Sequence, residues 1–208
     1  MVNFFTYLKA FLTAIPLTIA LTCVFPIGLP QVANAQDAER LDETRQIATK
    51  SMGIDDLLTL LATPDLEGWE DVEAKIRIEW SRSGSHSMDL ILLRAQEALN
   101  AAEGQVALEH ATALTDHAPD FAEGWNVLAM AYFQSGYYGP ALDALQRTVT
   151  LNPNHFEALS GLGTILAELD DEAGALKALK ASHAIHPHRP HISASIDELE
   201  ARLGGEKI

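Results

Sequence analysis

Pro119, Pro153 and Pro187 stand 34 residues apart, and Ala107, Ala141 and Ala175 keep the same interval, twelve residues before each proline. A period of that length fits an antiparallel helix pair, a unit that cannot bury its apolar face alone and so stacks on its neighbours. The fold class that follows is all-α, and the architecture a short right-handed α-solenoid. An ordinary helical bundle would need these landmarks to coincide by chance.

The clearest unit runs from Ala122 to His155. Trp125, Leu128 and Tyr132 recur at spacings of three and four, a stripe that faces a partner helix. Ala129 and Ala141 are small enough for two helix backbones to approach closely, Gly136 suits the positive-φ close of the first helix, and Pro153 stops the second. With Leu145 and Leu151, these residues resemble the tetratricopeptide repeat pattern at nearly every position; Ala129 replaces its usual glycine and Leu145 its usual aromatic. The runs APDFAEGWN, AYFQSGYY, HFEALSGLG and SGSHSMDLILLRA are similar to those of small exported bacterial tetratricopeptide proteins. That resemblance implies a fold and a class of function, not a substrate.

A looser unit follows from Phe156 to Arg189, with Leu159, Leu162, Gly163, Leu166, Ala175, Leu179, Ile185 and Pro187 at matching positions and Asp170 where Gly136 stood. Gly161 and Gly163 fall inside a helix and read as close packing rather than a phosphate loop. The unit from Met88 to Phe121 is the most degraded: Arg94 stands where a leucine is expected and Gly104 takes the place of a glycine at 102, so its first helix has an open phase. After Pro190, Ile192, Ile196, Leu199 and Leu203 predict one capping helix.

The expected organisation is a signal peptide at 1–35, a polar linker at 36–52, a degenerate helix pair at 53–87, the repeat domain with its capping helix at 88–203, and a tail at 204–208. In the degenerate pair, Trp69, Val72, Ile76 and Trp80 share one face. The leader carries Lys9, then twenty uncharged and mostly apolar residues, then Val32-Ala33-Asn34-Ala35, so cleavage is expected after Ala35. The competing arrangement is an uncleaved anchor, against which Pro16, Pro26 and Pro30 count. A periplasmic or secreted location follows. Cys23 lies in the leader, so the rest of the chain has no disulfide or thiolate chemistry.

A formal net charge of −15 over 208 residues disfavours nucleic acid and, after signal cleavage, membrane as partners. No nucleophile–base spacing or metalloprotease motif occurs, so no catalytic residue and no cofactor are assigned, and the chain is read as a non-enzyme. By analogy with the family, the concave groove is lined by Glu123, Asn126, Met130, Phe133, Gln134, Glu157, Ser160, Thr164, Ala167 and Glu168, with Asp89, Leu92, Gln96, Leu99 and Asn100 added if the first unit is in phase. That set holds acids beside apolar side chains and no cation, which suits a basic or amphipathic segment of another protein. The expected function is a non-catalytic adaptor of the bacterial cell envelope. Two alternatives remain: a metal-binding protein using His183, His186, His188 and His191, against a reading of those histidines as solvated, and an accessory subunit of an envelope enzyme.

Overall fold

The computed structural model describes residues 52–205, which are helical and contain no strand. The signal peptide and nearly all of the polar linker lie outside the described residues. The helices are α1 (Ile54–Leu61), α2 (Trp69–Trp80), α3 (His86–Asn100), α4 (Gly104–His117), α5 (Ala122–Gln134), α6 (Tyr138–Leu151), α7 (Phe156–Glu168), α8 (Glu172–Ile185) and α9 (Pro190–Gly205). Helix α3 opens two residues before the expected start of the first unit, and α9 continues into the expected tail.

The repeat is exact in the backbone. Ala102, Gly136 and Asp170 all take positive φ, at 58°, 77° and 60°. At each of these turns the amide after the left-handed residue donates back across it: Glu103 to the Ala98 carbonyl, Tyr137 to Tyr132 and Asp171 to Leu166, each at 2.9 Å. Left-handed closure of this kind satisfies carbonyls that the helix end would otherwise orphan. The open phase of the first unit is therefore resolved: Ala102 occupies the glycine position, and Gly104 only begins α4.

Pairs α3–α4, α5–α6 and α7–α8 stack, and Ala107, Ala141 and Ala175 are fully buried where the paired helices meet. A Cβ on Gly163 would sit 2.5 Å from Leu179 Cγ and 3.2 Å from the Ala175 carbonyl oxygen, so the close approach of α7 to α8 requires glycine there. At the C-terminal end, α9 covers the last pair with Ile192, Ile196 and Leu199. Trp125 differs from the expected interior residue. Its ring is half-buried between the first two cores, its indole N–H donates to the Pro119 carbonyl at 2.8 Å, and the Arg147 guanidinium lies 6.0 Å from the ring centre. A large ring with one polar edge keeps that edge at the surface.

The degenerate pair packs on the third repeat. Leu57 and Leu61 of α1 and Val72 and Ile76 of α2 share a buried cluster with Phe156, flanked by Trp69, Trp80 and Ile185. Helix α2 thereby reaches the concave side of the array.

An alanine in the left-handed region costs about 1 kcal/mol or more relative to glycine. Ala102→Gly is therefore expected to raise the melting temperature by about 2–4 °C, whereas Gly136→Ala should lower it. Thermal melts of the two variants check this.

Candidate functional site

The concave side is built from the first helix of each pair, because residues three and four apart on α5 and α7 share one face. It holds two adjoining clefts. The first, of about 420 Å³, is lined by Arg77, Ser81, Gln96, Leu99, Asn100, Glu123, Met130, Gln134 and Glu157. The second, of about 460 Å³ and more apolar, lies between α5, α7 and α9, with Asn126, Met130, Phe133, Ser160, Thr164, Arg189 and His191 on its walls. Eight of the ten groove residues expected from the two better-matched units thus line a cleft; Ala167 instead packs against the core shared with α8 and α9, and Glu168 lies one helical turn beyond Thr164, exposed. From the first unit, Gln96, Leu99 and Asn100 reach the groove. Leu92 is instead buried in the core, and the Asp89 carboxylate accepts from the Ser83 hydroxyl and amide, hydrogen bonds that hold its pKa below the usual carboxylate value.

The groove is not free of cations. Arg77, delivered by α2, lies 2.5 Å from Glu157 and 2.8 Å from Glu73. Arg189 donates to the Ser160 hydroxyl at 3.1 Å and lies over the Phe156 ring. Burial pushes the Glu157 carboxyl above its usual pKa, with Arg77 opposing the shift. The buried Glu123 carboxylate lies 3.0 Å from His155 Nε2.

His155 is wholly buried and fixed on both sides. Its Nδ1 accepts from the Ala158 amide at 3.2 Å, capping α7, so Nε2 carries the proton and donates to Glu123. The Trp80 ring stacks on it, 4.4 Å between centroids. Glu123, His155 and Glu157 offer oxygen and nitrogen atoms within 4.8 Å of one another, a spacing that suits a metal ion. The chemistry does not: one ring nitrogen is an acceptor for the backbone, the other is protonated, and Arg77 holds Glu157. The trio is a hydrogen-bonded support beneath the groove.

The four histidines of the C-terminal segment do not converge. His183 Nδ1 lies 3.4 Å from the Ser193 hydroxyl, His188 Nε2 donates to the Leu61 carbonyl at 3.0 Å, and His191 lines the second cleft. His186 contradicts the solvated reading. It is fully buried, edge-on to Trp69 and Phe156, with Glu73 3.5 Å from its Nε2 and neither ring nitrogen hydrogen-bonded. Burial lowers its pKa, Glu73 opposes that, and Arg189 and His188 add to it.

A tetratricopeptide repeat family model matches residues 122–155. The chain contains a tetratricopeptide repeat. It is 29% identical over 133 residues to a TPR repeat-containing protein of Rhizobium etli, a match spanning 64% of this chain and 65% of the relative, just under two thirds of the latter's length. Its fold is similar to the first TPR of Spaghetti (RPAP3) bound to an HSP90 peptide, with a TM-score of 0.54 at 17% identity over 56% of this chain and 93% of that one. It is also similar to a thermophilic TPR protein of Thermus thermophilus, with a TM-score of 0.51 at 21% identity over 73% and 84% of the two chains. At these identities the likeness to solved structures is one of fold.

Sequence reasoning missed Arg77 and Arg189 in the groove of this tetratricopeptide array, and His155 and Trp80 beneath it. One signal was present: His155 and Arg189 are 34 apart, at the residue just before the first helix of successive units.

The His186 environment sets a pH dependence. Its pKa is lowered on folding, so as pH falls the unfolded chain takes up the proton first. Its contribution to stability is complete above about pH 6.5, the ordinary histidine value, and declines as pH falls below it. Denaturant melts at pH 7.5 and 5.5 should show a smaller difference for His186→Phe than for wild type. Glu157, whose raised pKa works in the opposite sense, is common to both proteins and cancels.

Proposed function

We propose that this chain is a non-catalytic protein-interaction module of the bacterial cell envelope, and that it takes a partner segment in the cleft between α5, α7 and α9. One observation carries the reading. Met130 and Phe133 remain 41% and 40% exposed inside a concave site, while the acids beneath them are engaged by His155 and Arg77. A cleft that presents apolar side chains over a floor whose carboxylates are already hydrogen-bonded or ion-paired takes an apolar anchor from its ligand. Gln134 and Thr164, exposed around that anchor point, offer side-chain oxygens to the ligand's backbone or side-chain donors. The RPAP3 domain of the same fold holds a peptide, which supports a peptide segment as the ligand class. Export after cleavage at Ala35 places the partner outside the cytoplasm.

Affinity capture from an envelope extract, followed by kinetics on the captured protein, tests the cleft. Phe133→Ala is expected to raise the dissociation rate about tenfold while the melting temperature stays close to wild type, since Phe133 is not part of the core. An unchanged dissociation rate would place the partner on another surface. N-terminal sequencing of the extracytoplasmic protein should begin at Gln36 or its cyclised form; an intact Met1 in the membrane fraction would favour the anchor.

A further inference from the structure

The cleft does not account for all the apolar surface this chain leaves in water. Among the described residues nine large hydrophobic side chains are exposed, and five of them, Met130, Phe133, Tyr137, Tyr138 and Leu169, belong to the end of α5, the α5–α6 turn and the matching α7–α8 turn. The Tyr138 ring lies 5.7 Å from that of Phe133, so aromatic surface continues from the cleft wall over the turn. Tyr137 is 55% exposed. The turn geometry does not require tyrosines: the equivalent positions of the other two repeats are Glu103 and Gly104, and Asp171 and Glu172, with the same backbone hydrogen bonds.

The charge around this edge differs from that in the cleft. The Glu123 and Glu157 carboxylates on the cleft floor already face His155 and Arg77. Glu168 and Asp170, both exposed, stand at the end of α7 and in the turn after it, beside Leu169. Glu168 is four residues beyond Thr164, a cleft residue, and so lies on the same side of the helix. In a chain of net charge −15, Glu168 and Asp170, which make no ion pair among the described residues, are exposed acids on the turn of the repeat that follows the aromatic edge.

We propose that the partner segment, once anchored in the cleft, leaves it over the α5–α6 edge, and that this outer part is cationic and preferentially arginine-rich. One guanidinium lies flat on the Phe133 and Tyr138 rings and a further one reaches Glu168 and Asp170 on the next turn, contacts that planar arginine makes better than lysine. The apolar anchor holds the complex and the edge selects the sequence that follows. The proposal rests on the cleft reading and adds the chemistry of the ligand beyond the anchor.

Random-peptide display on the purified protein tests it without knowledge of the natural partner. Selected peptides should pair an apolar residue with arginines a few positions away. For a peptide from that pool, fluorescence polarisation should show Kd rising about five- to tenfold in Glu168→Gln/Asp170→Asn, with a flattened salt dependence. Both positions are exposed and the replacements isosteric, so circular dichroism should be unchanged. Tyr137→Ser/Tyr138→Ser should abolish the preference for arginine over lysine. Selected peptides with an apolar anchor and no basic enrichment would overturn the edge proposal and leave the cleft reading standing, as would arginine peptides that bind both edge variants like wild type. Peptides indifferent to Phe133→Ala as well would overturn both.

Discussion

The left-handed residue at the end of each first helix is the constraint on which this molecule depends. Three such residues, 34 apart, close α3, α5 and α7 with the same pattern of backbone hydrogen bonds. With the reversal fixed, each second helix returns along the first at a distance that only Ala107, Ala141, Ala175 and Gly163 allow. The stacking of pairs, and hence the concave side, follows from that geometry. Two of the three positions are not glycine, so the tertiary packing holds Ala102 and Asp170 in a conformation their side chains disfavour.

The second determinant is the docking of α1 and α2. It places Arg77 against Glu157 and Trp80 on His155, and converts an acidic groove floor into an internally paired one. Carboxylates that a reading of the first helices alone would offer to a basic ligand are already used by the protein itself. What remains is apolar surface in the cleft and exposed carboxylates at its margin, and in the proposed complex this division would give the two ends of the segment different chemistry.

Much of the repeat was legible in the sequence because it is written in short-range rules. The stripe through Trp125, Leu128 and Tyr132, the close-packing alanines and the prolines at the junctions each act on their own turn of helix or its immediate neighbour. The stripe through Trp69, Val72, Ile76 and Trp80 was equally legible, but it says only that the face is buried and not against what. Its partner, Phe156, lies some eighty residues away, and no periodicity links the two. His155 and His186 were obscured for a related reason. A histidine beside Asn or Pro reads as a polar junction, and only the arrival of α2 makes the site dry.

A stacked array in which each unit touches only its neighbours has free ends, and those ends open first. Here the His188 side chain bonds to the Leu61 carbonyl, 127 residues earlier in the chain, and Phe156 closes the core of α1 and α2. The earliest helices are thus completed by some of the last. During synthesis, Trp69 and Trp80 must wait for the third repeat to emerge before their cover is complete. The order of emergence therefore makes the earliest of the described helices among the last to find their place.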